Sequence, residues 1–283
     1  MKEYDNQQKE FMERKEEFYR YPERYRVEPF RIIGNLYFIG NQDVAAYLLD
    51  TEEGVIILDT GYPTTQGLLI YSIMKLGFSM EQIRIILHTH GHFDHMGATA
   101  LLKQLSGQAV TYMGWRDGEM LEKQPEMALA EISGCPYFSV WQPDQLLHDN
   151  DVVSLGTTQI LAVETPGHTD GTLSYFFFVK EGGVQYRCGL MGGAGLNTLT
   201  RAFIQRHKRS YAREEFLQSI CKIYQEKVDI NLGNHSLQNF TLEKRKRMLA
   251  GEGGNPFVDS GEWQRFLDKT RVGFEKMIKN ERE

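Results

Sequence analysis

Leu87-His88-Thr89-His90-Gly91-His92-Phe93-Asp94-His95-Met96-Gly97 gathers four of the chain's eight histidines into eight consecutive residues. Neutral imidazole is the commonest metal ligand among side chains, and a carboxylate adds a hard oxygen donor. His90 and His92 are two apart and Asp94 adjoins His95, a spacing that suits a tight loop rather than one helix face. The apolar run Ile83 to Leu87 reads as a buried strand delivering that loop, and a helix is predicted over 97–105. Two isolated histidines lie downstream in similar settings: His168 in Thr165-Pro166-Gly167-His168-Thr169-Asp170-Gly171, and His235 in Leu232-Gly233-Asn234-His235-Ser236. Each follows a predicted strand end. Alone, either reads as an ordinary loop histidine; beside the cluster, both read as metal ligands.

Working outward, strand readings fall at 34–40, 44–49, 55–58, 108–112, 158–164, 173–179, 184–191 and 228–232. Helices are predicted at 64–76, 115–130, 211–226, 241–250 and 259–279, and Ser79 with Gln82 has the spacing of a capping box at a helix start. Strands mixed with helices throughout predict a layered α/β domain. Residues 1–28 stand apart as a charged segment with Tyr4, Phe11, Phe18 and Tyr25 seven apart. On a helix the first three form one stripe, and Pro22 ends it. The segment reads as a helical extension packed on the body, with a lid or a dimer contact as alternatives; 29–283 reads as one domain.

At 283 residues with 41% apolar and 25% charged content, the chain is an ordinary globular mix, long enough for a sizeable core. No apolar run approaches the length of a membrane span. A net charge of −6 speaks against a broad nucleic-acid surface. The basic runs Arg206-His207-Lys208-Arg209 and Lys244-Arg245-Lys246-Arg247 read as solvated helix faces. Cys135, Cys188 and Cys221 are far apart and odd in number, which argues against a disulfide framework or a thiolate cage. The polar N-terminus lacks the apolar core of a signal peptide, so a cytoplasmic location is expected.

The ordered motifs resemble those of the metallo-β-lactamase superfamily. His90-Gly91-His92-Phe93-Asp94-His95 stands as its HxHxDH motif, Leu58-Asp59-Thr60-Gly61 as its first motif, and Thr165-Pro166-Gly167-His168-Thr169 as its third. The resemblance runs from about Gly34 to the C-terminus. Gly254-Asn255-Pro256-Phe257-Val258-Asp259 is similar to the tail of the third subclass of metallo-β-lactamases, which uses no cysteine ligand. It implies a four-layer αββα sandwich and two zinc ions, iron or manganese being the other candidates. His90, His92 and His168 would hold the first metal, and Asp94, His95 and His235 the second, with a shared hydroxide. It implies hydrolysis of a small-molecule carbonyl compound, β-lactamase-like, with Asp94 accepting a hydrogen bond from the nucleophile. Lactonase or thioesterase action is the alternative, and a diiron redox protein or a non-catalytic metal scaffold lies further off.

Asp59 is expected to hydrogen-bond a ligand imidazole from behind, and His88 to be structural. Asp170 reads equally as a turn former or as a support for His168; His148 and His207, the latter at a basic helix start, read as surface residues. One departure stands out. Where most superfamily hydrolases place a bridging Asp, this chain has Arg187-Cys188-Gly189-Leu190-Met191-Gly192-Gly193-Ala194-Gly195-Leu196-Asn197, with neither a carboxylate nor a serine. Its glycines are expected to let backbone approach the site, and Asn197 to donate to a substrate oxygen. Cys188 is the soft ligand nearest in sequence.

Overall fold

Alternating burial along the strands sorts side chains into layers. In the computed structural model, which describes residues 16–281 apart from 136, 137, 139, 140 and 252, two sheets pack face to face. The first contains β1 (Phe30–Ile33), β2 (Leu36–Phe38), β3 (Tyr47–Asp50), β4 (Val55–Leu58), β5 (Ile83–Leu87), β6 (Val110–Gly114) and β7 (Gln145–Leu147), in that order. The second contains β8 (Val152–Leu155), β9 (Thr158–Glu164), β10 (Leu173–Glu181), β11 (Val184–Leu190) and β12 (Ile230–Leu232), adjacent in sequence order. β1 to β4 run antiparallel, β4 to β7 parallel, β8 to β11 antiparallel, and β12 parallel to β11.

On β4, Ile56 and Leu58 face the other sheet, meeting Leu173, Tyr175 and Phe177 of β10 in the central core. Val55 and Ile57 point the other way, onto Leu69 and Ile73 of α1 (Gln66–Lys75) and Leu102 of α3 (Thr99–Ser106). Phe176 of β10 likewise faces α6 (Ala212–Tyr224) and α8 (Glu262–Asn280) through Phe216, Trp263 and Phe274. Period-two alternation thus produces helix, sheet, sheet, helix, the expected αββα sandwich. The remaining helices are α2 (Phe93–Met96), α4 (Trp115–Lys123), α5 (Arg201–His207) and α7 (Thr241–Leu249).

Several expectations are corrected. The helix predicted over 115–130 stops at Lys123, and Pro125 opens a 3-10 turn to Ala128, since proline cannot continue the ladder. Ser79 starts only a 3-10 turn, Met80–Gln82, where its N–H donates to Gln82 Oε1 at 2.8 Å. The histidine loop contains one helical turn, α2, carrying Asp94 and His95. Neither basic run is a fully solvated face. Arg209 is buried against Asp170 and Lys244 against Glu262, carboxylates distant or separate in sequence. His207 ends α5 rather than starting a helix. Residues 16–20 are helical and give way at Pro22 to a 3-10 turn; Phe18 is buried, while Tyr4 and Phe11 lie outside the described residues.

Candidate metal centre

Every site loop leaves the carboxyl end of a strand: Asp59 follows β4, the histidine cluster follows β5, His168 follows β9, the glycine-rich segment follows β11, and His235 follows β12. Hydrogen bonds join the two sheets at this edge. Leu173 N–H donates to Thr89 O at 2.8 Å, Tyr175 Oη to His88 O at 2.7 Å, and Ala45 N–H to Asn234 O at 3.0 Å. Two rigid layers therefore present one set of loops, the arrangement in which parallel strands commonly place ligands.

His90, His92 and His168 form the first donor triad. Their rings are 4.6–4.8 Å apart and nearly perpendicular in every pair, at 81–83°. One donor atom from each lies within 4.8 Å of the others. The outward nitrogens fix the tautomers. His168 Nδ1 is 2.8 Å from the Gly195 carbonyl, which can only accept, so Nδ1 carries the proton and Nε2 keeps its lone pair. Thr89 gives its hydroxyl proton to Asp59 Oδ2, so His90 Nδ1 donates to Thr89 Oγ1 at 2.9 Å. Burial, followed by the neighbouring imidazoles, holds His90 and His92 well below the ordinary histidine range. Burial pushes His168 down to about 3. All three rings are thus neutral, the form that binds metal.

Asp94, His95 and His235 form the second triad. Asp94 Oδ2 stands 3.6 Å from His95 Nε2 and 3.7 Å from His235 Nε2. Behind His95, Asp59 Oδ2 is 2.8 Å from Nδ1. Asp59 also accepts from Thr89 N–H and Oγ1 and has φ +57°, a left-handed backbone that aspartate tolerates better than most residues. Burial pulls His95 down, but Asp94 and Asp59 outweigh it and the ring sits above its ordinary value. His235 is 31% exposed, with Nδ1 3.3 Å from Asp43 Oδ1.

The donor set fits a metal. His90, His92 and His95 Nε2 are closed to solvent without a hydrogen-bond partner. An orphaned buried acceptor costs about 1–3 kcal/mol, and these three, two in the first triad and one in the second, are what bound cations would satisfy.

Sequence reasoning missed Asp117 and Asp43. Asp117, fully buried at the start of α4, accepts from Gly91 N, Thr169 Oγ1 and Gly171 N, each at 2.7 Å, and so ties the histidine cluster to the His168 loop. Burial raises its carboxyl to about 6 despite those donors. Its one available signal was its position after a strand end, hidden in the charged stretch Trp115-Arg116-Asp117-Gly118-Glu119. Asp43 binds the Tyr62 hydroxyl at 2.8 Å as well as His235.

The other expected residues divide. His88 is buried between the Tyr112 carbonyl and Thr99 Oγ1, a structural position. Asp170 grips Arg209, which donates to the carbonyls of His168 and Gly167, so it supports the ligand loop. A Cβ on Gly193 would lie 2.6 Å from the His168 ring, which explains the glycine there. Asn197 is exposed, outside both triads, with Oδ1 beside Gly195. Cys188 sits in the central core opposite Phe177, in neither triad, and burial pushes its thiol up. His148 is exposed and stacks on Trp115, whereas His207 is half-buried against Phe203.

Comparisons with known proteins identify the family. A family model described as the metallo-beta-lactamase superfamily matches residues 39–180. The uncharacterized protein YobT of Bacillus subtilis is 30% identical over 137 residues, 47% of this chain and 56% of that protein. The hydroxyacylglutathione hydrolase GloC of Haemophilus influenzae is 27% identical over 161 residues, 56% of this chain and 73% of that protein. Matches to curated relatives span between 30% and 73% of those proteins' length. Among solved structures, the similar ones are mainly subclass B3 metallo-β-lactamases. BJP-1 of Bradyrhizobium japonicum superposes with a TM-score of 0.80 at 29% identity, covering 90% of this chain and 95% of that one.

Proposed function

The chain belongs to the metallo-β-lactamase superfamily, and on that premise we propose that it is a metal-dependent hydrolase of small carbonyl compounds, with two zinc ions held by the two triads. The observation that carries this reading is the pair of donor triads, in which Nε2 of His90, His92 and His95 is buried without a partner while Nδ1 of His90, His95 and His168 is hydrogen-bonded. His90, His92 and His168 would hold one ion, and Asp94, His95 and His235 the other. Such a pair supplies Lewis-acid polarisation of the carbonyl and lowers the pKa of water toward neutrality.

The chain's own residues do the rest. Neutral imidazoles add no charge of their own to the first site. Asp94 belongs to the second triad, and its carboxylate accepts the hydrogen bond of the attacking water and takes its proton. Asp59 holds the His95 ring with Nε2 inward, and the Gly195 carbonyl does so for His168. The rigid strand ends keep these groups in place before substrate arrives.

We infer β-lactams as the first substrate class to test, because the resemblance to BJP-1 extends over nine-tenths of this chain. A thioester or lactone is the second reading, favoured by the GloC match. The test is a zinc-loaded screen across β-lactams, lactones and thioesters, with metal content measured in parallel. Turnover of one class, lost on chelation, is expected. A chain that binds zinc and hydrolyses none of them faster than its metal-free form refutes the reading.

A further inference from the structure

A buried polar atom outside the six donors also lacks a partner. The Tyr19 hydroxyl oxygen is closed to solvent and makes no hydrogen bond. Tyr19 belongs to the helical segment 16–20, fastened to the body by Phe18, whose ring lies 4.5 Å from Tyr25 and 4.6 Å from Tyr62. The Tyr19 ring itself contacts Tyr62 at 6.0 Å and Phe93 at 6.5 Å. Both neighbours adjoin residues of the second triad or their supports. Phe93 lies between His92 and Asp94, and Tyr62 donates to Asp43, the partner of His235.

Packing does not account for the hydroxyl. A phenylalanine would make the same edge contacts and avoid a buried unpaired donor, whose cost is about 1–3 kcal/mol. Phe18 next to it shows that the segment uses phenylalanine where only packing is required. Burial, then Cys135, Asp94 and Asp43, raise the ionisation of the phenol far above its ordinary value, so the group stays a protonated donor. A donor beside carboxylates, with no acceptor of its own, is matched to an incoming oxygen.

We propose that Tyr19 is a substrate-contacting residue whose hydroxyl donates a hydrogen bond to an anionic oxygen held over the Asp94–His95–His235 triad. The inference rests on the hydrolase reading and extends it: the N-terminal segment completes the substrate site. The substrate class it selects carries a carboxylate, or a carbonyl oxygen that becomes negative during attack, on the side of the second triad.

The test uses the full chain with two changes at one position. Tyr19→Phe removes the oxygen and keeps the ring. Incorporation of 3-fluorotyrosine at position 19 gives a fluorine resonance that reports on the hydroxyl, with acetate as the carboxylate probe. The metal-free Phe variant is expected to unfold at the wild-type temperature or above it, because the lost hydroxyl had no partner. The resonance is expected to shift with acetate in the zinc-loaded chain and to stay still in the metal-free chain. On any substrate the screen identifies, kcat/KM of the zinc-loaded variant should fall about 10- to 100-fold at unchanged zinc content. A melting temperature lower by more than about 2 °C would reveal a structural partner and overturn the proposal. So would a resonance indifferent to acetate in the zinc-loaded chain, or turnover equal to wild type. If the screen finds no substrate, the hydrolase reading fails by itself, while the melting and fluorine results still decide on the hydroxyl.

Discussion

The two triads, built on the same edge of the same sandwich, are different chemical environments. His90, His92 and His168 are 1%, 4% and 6% exposed, uncharged, and mutually perpendicular. The second triad mixes a carboxylate with two imidazoles, and one of these, His235, is 31% exposed. The supports differ too. His168 and His90 are pinned at 2.8 and 2.9 Å, whereas His235 meets Asp43 at 3.3 Å. The first triad is preorganised by burial. The second is charged, more open, and closer to solvent and to the N-terminal segment. Burial suits holding an ion; openness suits exchanging what is bound.

The largest expected effect tests that division directly. Substituting His90→Ala, His92→Ala or His168→Ala is expected to abolish hydrolysis, because each removes one of three neutral donors to the first ion. His235→Ala is expected to leave a measurable rate, roughly 10- to 100-fold below wild type, since it strips a peripheral donor. Turnover and zinc content measured together check this. Equal loss from both sides would erase the functional difference between the triads.

Asp94→Asn comes next. The amide oxygen still coordinates weakly, but the side chain no longer accepts a proton. The rate should fall about 10²- to 10⁴-fold, the range for a positioned acid or base, while most of the metal is retained. Rate and metal lost in parallel would reduce Asp94 to a ligand.

Asp117→Asn sharpens the comparison from behind the first triad. The carboxylate accepts three hydrogen bonds from two loops, and an amide turns one acceptor into a donor facing an N–H or O–H. Affinity for the first ion is expected to drop about 10- to 100-fold, with the second less affected. Competition with a metal-sensitive dye, resolved site by site, is the measurement.

How much of this was legible in the sequence depends on how far apart the partners lie. The histidine cluster and Asp59 could be read because metal ligands sit at short spacing after apolar strands, and His168 and His235 because their settings repeat that pattern. Asp117 could not be: its partners Gly91, Thr169 and Gly171 are 26, 52 and 54 residues away. Arg209 was misread for the same reason, as its carboxylate partner Asp170 lies 39 residues earlier. Strand and helix periodicity predicts a layered α/β domain, and the αββα order is what the family resemblance implies; the short strands β7 and β8 carry weak patterns, with exposed residues at most positions, and are not among the strand readings. Pairing with longer neighbours, rather than local preference, stabilises them.

Acid should reach the site through its neutral histidines. His168 is pushed down to about 3 and His88 to about 4, against an ordinary value of 6.5 that applies when the chain unfolds. The unfolded chain binds protons first, so these groups' contribution is complete above about pH 6.5 and is lost as pH falls toward 4 and then 3. Asp117 acts oppositely. Raised to about 6, it favours the folded state more as pH falls through that value, and so offsets part of the loss. Melting of the metal-free chain from pH 7 to pH 4 is expected to show a net decline. Replacing His88 with Gln should reduce the slope, and a slope of the opposite sign would mean that Asp117 dominates.

The smallest expected effect is the order in which the ions leave. No carboxylate bridges the triads from the glycine-rich segment, because Gly193 is packed against the His168 ring, with no room there for a Cβ. Without a shared protein ligand, each ion of the proposed pair would depend on its own three donors. The first set is buried, with His90 and His168 pinned; the second includes the exposed His235 with its longer support. Chelator titration with metal counting should resolve two losses, the Asp94–His95–His235 ion first, separated by about tenfold or more in chelator concentration. Asp43→Asn should widen the gap, because it weakens only the second triad. A single concerted loss, unchanged by that substitution, would mean that the two triads bind as one unit and that their difference in burial has no bearing on metal retention.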